Sequence, residues 1–193
     1  MSLPAYDAVV LAGGAARRLG GRDKAAELVG SVSMLDRVLA AVPDAVRTVV
    51  VGPFRPVTAT VTTWTQESPP GGGPAAGLAA GLAETSAATV VLLAADLPFL
   101  SVETIRWLLA AGLGADGALL LDADGRDQPL VSAWRAAALR DAVQGLPTPV
   151  GVPLHRLLAD LDVRRVALSP AAGAPPWFDC DTESELRRAR ELA

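Results

Sequence analysis

Four cations fall within eight residues of one another: Arg17, Arg18, Arg22 and Lys24, closely following Gly13-Gly14, which ends the apolar run 8–12. A buried strand that opens into a glycine turn frees backbone amides, lets a ligand approach closely and surrounds it with positive charge. That combination suits a polyphosphate. The chain holds sixteen Arg and one Lys, and the lysine is Lys24. An ammonium is a compact point charge with rotatable donors, whereas a guanidinium is a wide planar fork. Lys24 therefore marks a place where a fork does not fit. Asp96 is the second candidate, ending the strongest strand pattern in the chain, 89–95. A carboxylate at such a strand end, beside a phosphate loop, suits Mg²⁺, which takes one or two carboxylates plus phosphate oxygens and water. The bland reading is a cap on the turn before Pro98. Asp181 also has two readings. It supplies a further metal or phosphate contact, or it lies beside the capping box Thr182-x-x-Glu185 and favours the helix dipole.

The elements that must hold these residues follow from apolar periodicity. Strands are predicted at 8–12, 46–51, 58–64 and 89–95, and helices at 33–41, 75–84 and 102–111, the last capped by Ser101. Asp122-Ala123-Asp124-Gly125 between apolar runs 118–121 and 128–134 predicts an antiparallel hairpin. Helices at 135–143 and 154–161, a strand at 163–168, a linker at 170–176 and a helix running to Leu192 complete the order. Alternating strands and helices with continuous apolar strands predict a three-layer α/β/α sandwich: a mostly parallel, Rossmann-like sheet with an antiparallel hairpin insertion. In open α/β sheets ligands bind beyond the carboxyl ends of the strands. Gly13-Gly14, Gly52, the loop Gly71-Gly72-Gly73 and Asp96 all fall there.

The 193 residues, 51% hydrophobic and 20% charged, predict one globular domain spanning 1–193. A formal charge of −4 argues against nucleic acid as a partner, so the basic cluster serves one small anion. A single cysteine, Cys180, excludes an intrachain disulfide and a cysteine metal cage, and fits a reducing cytoplasm. The first residues lack the charged and apolar regions of a signal peptide. No apolar run approaches the roughly 20 residues that span a membrane. His155 reads as a surface or capping residue, Cys180 as buried and inert, and Trp107 and Trp134 as core. Trp64 and Trp177 flank loops and either pack or line a pocket. Arg126, Asp127 and Gln128 follow the hairpin turn, where a second substrate or solvent meets them.

The Walker pattern G-x-x-x-x-G-K-[ST] is absent, as is the dinucleotide-binding G-x-G-x-x-G with its acidic partner. Leu11-Ala12-Gly13-Gly14-x-x-x-Arg18-x-Gly20 with Asp23-Lys24 instead resembles small nucleotidylyltransferases, above all the molybdenum cofactor guanylyltransferases of the MobA family. The resemblance continues through Glu67, Pro70-Gly71-Gly72-Gly73-Pro74-x-x-Gly77-Leu78, Asp96-Leu97-Pro98-Phe99, Gln128-Pro129-Leu130 and Asp179-x-Asp181-Thr182. It implies that Leu11, Ala12, Gly13 and Gly14 wrap the base and ribose of GTP, with Glu67 beside them and Gly72 and Gly73 closing over the base. Arg18 and Lys24 would hold the triphosphate, and Asp96 the Mg²⁺, with Mn²⁺ as a substitute. Gly52 departs from members that carry an asparagine contact there. The implied reaction is GMP transfer from GTP to the phosphate of molybdenum-bound molybdopterin, with cofactor-synthesis or acceptor proteins as further partners. Alternatives are a molybdopterin cytidylyltransferase, another phosphometabolite nucleotidylyltransferase, and a non-catalytic nucleotide- or pterin-binding carrier.

Overall fold

The computed structural model describes residues 2–13, 23–168 and 174–193. Gly14, Arg17, Arg18 and Arg22, and residues 169–173, which take in the start of the predicted linker 170–176, lie outside these. The first half of the chain forms β1 (Tyr6–Leu11), a 3₁₀ turn (Lys24–Ala26), β2 (Leu28–Val29), β3 (Val32–Ser33), α1 (Met34–Ala40), β4 (Thr48–Val51), β5 (Thr63–Thr65) and α2 (Pro74–Ala83). The second half forms β6 (Thr89–Ala94), α3 (Val102–Ala111), β7 (Gly117–Leu121), β8 (Asp127–Arg135), α4 (Ala136–Gln144), α5 (Leu154–Leu157), β9 (Val163–Ala167) and α6 (Glu183–Leu192).

Among the described residues, seven strands make one sheet in the order β5-β4-β1-β6-β8-β7-β9. The central strands are apolar at nearly every position because both of their faces are covered. Val10 and its neighbours on one face pack with Leu35, Val38, Ile105 and Leu108 from α1 and α3. Val9 and Val49 on the other pack with Leu78, Leu82, Leu139 and Leu154 from α2, α4 and α5. Helix α2 lies unusually close to the sheet. A Cβ at Gly81 would stand 2.5 Å from Cγ1 of Val9, so the glycine is what permits this approach.

Strand register levels the ends that matter. Leu11 pairs with Val51 on β4 and with Ala94 on β6, both in parallel. Ala12-Gly13, Gly52 and Ala95-Asp96 therefore leave the sheet side by side. The predicted hairpin is present, and it is built into the main sheet: β8 inserts between β6 and β7, antiparallel to both. Reversal brings the start of β8, with Gln128, to the edge where its antiparallel neighbours β6 and β7 end.

A satellite core of Val29, Met34, Cys180, Leu186 and Ala189 docks α6 against the β2–β3 ribbon. Arg190 Nε donates to Leu28 O at 2.9 Å, and its guanidinium pairs with Glu27. The C-terminal segment is thereby delivered beside the Lys24 turn. The predicted capping box of Thr182 and Glu185 starts α6.

Three elements differ from the sequence expectation. The β2–β3 ribbon has two residues per strand, too few to show alternation. The strand predicted at 58–64 narrows to Thr63–Thr65. Its early part is bound by a side chain instead: Asp36 Oδ1 accepts from the Thr58 N–H at 2.7 Å and from its hydroxyl at 2.8 Å. The helix predicted at 154–161 ends at Leu157. Beyond it the chain must turn into β9, where the Asp162 N–H is taken by Asp116 Oδ2 at 3.0 Å.

Candidate active site

A cleft of about 550 Å³ opens above the carboxyl ends of β1, β4 and β6. That size suits a small-molecule ligand. On its floor the Lys24 ammonium lies between two carboxylates. Its Nζ is 3.5 Å from Asp96 Oδ2 and donates a short hydrogen bond to Asp181 Oδ1. Burial acts to lower the Lys24 pKa, but the Asp181 hydrogen bond and the charges of Asp96 and Asp181 outweigh it and leave it raised. The ammonium therefore stays charged at neutral pH. Burial raises the pKa of Asp96, and the Lys24 charge offsets part of the rise. Asp179 also lines the cleft, and desolvation raises its pKa, with Asp181, Asp96 and Glu185 adding to the shift.

The structure places Asp181 beside the capping box and also against Lys24. Its side chain reaches Lys24, while its N–H donates to Glu185 Oε2 at 2.9 Å within the capping box. The donor set fits a divalent ion of the Mg²⁺ kind. Asp96 and Asp181 already converge on one cation, the Lys24 ammonium. Among the described residues no cluster of three or more acidic, histidine or cysteine side chains forms a metal cage. Mg²⁺ takes one or two carboxylates, with phosphate oxygens and water completing its shell.

The glycine-rich wall is built from β1, the segment after β5, and the start of α2. Leu11, Ala12 and Gly13 line the cleft together with Glu67, Gly71 and Gly73. Glu67 Oε1 accepts from the Gly71 N–H at 2.9 Å, fixing the loop before α2. Gly72 is buried beneath that loop; its carbonyl accepts from the Gly151 N–H at 2.8 Å, and Gly71 and Gly73 form the cleft surface. Gly52 has a physical reason to lack a side chain. With φ at 144°, its Cβ would stand 2.7 Å from Ala12 C and 2.9 Å from Gly13 N. An asparagine there would displace the glycine turn itself. Gly14 and Arg18 lie outside the described residues.

Arg55 was not singled out from sequence. It lines the cleft, pairs with Asp23 next to Lys24, and is anchored by donation to Pro53 O at 2.9 Å. The available signal was an arginine three residues past Gly52, at a strand end already marked as a ligand edge. Gln128 and Trp177 line the far wall with Leu130 and Val131. Cys180 is buried in the satellite core, its thiol pushed up to about 12 by burial, so it is inert. Trp134 is core, whereas Trp107 is exposed on α3. His155 is exposed and lies outside this cleft.

Comparison with known proteins gives the family and the fold. The model of the MobA-like NTP transferase domain matches residues 8–165. The molybdenum cofactor guanylyltransferase of Acidiphilium cryptum (strain JF-5) is 33% identical over 189 residues, covering 94% of this chain and 92% of the relative. Among solved structures, molybdopterin-guanine dinucleotide biosynthesis protein A of Archaeoglobus fulgidus has the same fold, with a TM-score of 0.70 at 20% identity over 96% of this chain and 97% of its own. The manganese complex of Rv0371C from Mycobacterium tuberculosis H37Rv does too, at a TM-score of 0.73 and 20% identity over 98% and 100%. With its Gly-rich loop, Lys24 and Asp96 set around one cleft, the chain belongs to the MobA-like NTP transferase family and is a nucleotidyltransferase.

Proposed function

We propose that this chain transfers a GMP moiety from GTP to the terminal phosphate of molybdenum-bound molybdopterin, forming the molybdopterin guanine dinucleotide cofactor and pyrophosphate. The observation that carries the reading is the meeting of Lys24, Asp96 and Asp181 in a cleft walled by Gly13, Glu67 and Gly73. The guanylyltransferase relatives supply the choice of GTP and pterin. The whole span 1–193 acts as one nucleotidyltransferase domain, since the N-terminal loop, the central strands and the C-terminal segment all reach the same cleft. Among the described residues no helix is long and apolar enough to cross a membrane, and the reading places the reaction in the cytoplasm.

Leu11–Gly14 and Glu67 take the base and ribose, Gly71 and Gly73 close over the base, and Arg18 and Lys24 hold the triphosphate. Asp96, with Asp181, would hold Mg²⁺, for which Mn²⁺ substitutes; the manganese complex of the tuberculosis neighbour supports a divalent ion in this fold. Bound there, the ion supplies charge neutralisation of the triphosphate. An oxygen of the acceptor phosphate forms a bond to the α-phosphorus as the bond to the β-phosphate oxygen breaks, and that electron pair leaves with pyrophosphate. A phosphate monoester has its second pKa near about 6 and is largely dianionic at neutral pH. No strong base is needed, in keeping with the absence of histidine from the described lining of the cleft. The protein's work is alignment and charge stabilisation by Lys24, Arg18 and the loop amides.

The test is incubation with Mg²⁺-GTP and molybdenum-bound molybdopterin, reading pyrophosphate and dinucleotide, with CTP in a parallel arm. GTP-dependent product is expected. Faster turnover with CTP, or GTP binding without pyrophosphate release, overturns the proposal in favour of a cytidylyltransferase or a carrier.

A further inference from the structure

The cleft has one charged centre and two unlike walls. Lys24, Asp96 and Asp181 sit in the middle, where the reacting phosphates must meet. The glycine-rich wall rises from β1, β4, β5 and α2, on one side of β6 in the sheet order. On the other side of β6 stands β8, which contributes Gln128, Leu130 and Val131. Trp177 completes the lining and packs against the same core face as Leu130. It is half-buried, and it is the one aromatic among the described residues lining the cleft. In a chain with four Trp, one Tyr and three Phe, an indole in a ligand cleft is a notable use of a scarce residue.

Nucleotidyl transfer joins two molecules through phosphates, so their ring systems must diverge from the centre in different directions. Guanine belongs to the glycine-rich wall of Leu11, Ala12, Gly13, Glu67, Gly71 and Gly73. The second ring system then falls to the wall that carries a flat, polarisable surface. We propose that Trp177 is the stacking platform for the pterin ring of the acceptor, with Gln128 reading the amino-pyrimidinone edge; this rests on the guanylyl-transfer reading above. Gln128 is prepared for the task. Its Nε2 donates to Asp122 Oδ2 at 3.0 Å, which holds the amide in place at the foot of the hairpin. Its amide oxygen can accept from the N–H groups of that edge. Leu130 adds apolar contact beside the ring.

The test uses the full chain and a stable probe, 6-hydroxymethylpterin, whose fluorescence stacking quenches. Stacking on an aromatic is worth about 1–3 kcal/mol by alanine substitution, so Trp177→Ala should weaken probe binding about 5- to 150-fold. GTP affinity should be unchanged, and Trp177→Phe should keep most of the binding. Gln128→Ala should weaken the pterin and leave its purely aromatic quenching at saturation intact. Under turnover, Trp177→Ala should raise the acceptor KM with little change in the KM for GTP. Equal probe binding by wild type and Trp177→Ala, or an equal loss of GTP and pterin binding, overturns the proposal. Unchanged probe binding would direct the acceptor to the neighbouring cleft of about 760 Å³, which shares Gly73, Pro74 and Leu130. Quenching that depends on Trp177 in a protein that makes no dinucleotide would refute the transfer reading and leave the pterin subsite standing.

Discussion

Lys24→Met separates the proposed metal carboxylates from the lysine that now bridges them. At 3.5 Å from Asp96, a unit charge pair has a Coulomb energy of about 5 kcal/mol at an effective dielectric near ~20. The Lys24 and Asp96 side chains are 23% and 22% exposed, so water screens the pair, and desolvation of the ammonium offsets more. A net of about 1.5 kcal/mol remains, roughly tenfold in affinity. Any divalent ion binding Asp96 and Asp181 without nucleotide must displace that ammonium. Lys24→Met should therefore bind Mn²⁺ alone about tenfold more tightly than wild type, measured as the loss of the free-ion paramagnetic resonance signal. With GTP present the sign reverses, because the triphosphate loses its cation; removing one such stabilising group costs about 10²- to 10³-fold in turnover. Opposite signs in one variant cannot come from general misfolding. Lys24→Arg keeps the charge, so its metal affinity should stay low while its turnover falls. Unchanged Mn²⁺ affinity in Lys24→Met would refute the shared-carboxylate argument. Full activity in Lys24→Arg would show that the single lysine has no steric meaning.

Two further outcomes concern the frame around the site. Asp36 ties the 53–62 segment to α1: burial acts to raise its pKa, but hydrogen bonds from Ser33 and Thr58 outweigh this and hold it below the ordinary range. Asp36→Ala should cost about 2 kcal/mol at pH 7. Because the native pKa is depressed, the wild-type advantage is present above about pH 4 and disappears as pH falls through the native value. A urea-midpoint gap that is the same at pH 7 and pH 3 contradicts this. Gly52→Ala should destabilise by about 2–4 kcal/mol and weaken nucleotide binding, since both the left-handed backbone and the contact with Ala12 forbid a side chain. A denaturation curve superimposable on wild type would show that the turn yields easily.

Legibility in the sequence followed how local the determining physics was. Strands β1, β4 and β6 were plain because burial on both faces leaves an unbroken apolar run. Capping by Ser101 and by Thr182 with Glu185 was plain because each cap is closed within three residues. The stretch 58–64 looked like a strand because threonine alternates with alanine and valine there, yet Asp36, 22 residues earlier, binds Thr58. Sequence showed the hairpin but not its place in the sheet. That place depends on the pairing of Leu93 with Val131, a long-range choice that turn residues do not record.

The same division runs through the site. Gly13, Lys24 and Asp96 could be singled out because each stands at a strand end or in a charged glycine turn, where local sequence already limits what the residue can do. Arg55 was missed because its partner, Asp23, lies 32 residues away and neither residue's spacing points to the other. Asp181 kept two readings for a related reason. Its local context is a helix cap, while its link to Lys24 spans 157 residues and exists only because α6 docks on the β2–β3 ribbon. That docking rests on buried Val29, Met34, Cys180 and Leu186, which carry no chemistry themselves. The buried cysteine that sequence reasoning set aside as inert therefore helps bring a carboxylate to the Lys24 ammonium. Loosening that small core should separate Asp181 from Lys24 before it disturbs Asp96, because Asp96 is held by the central sheet.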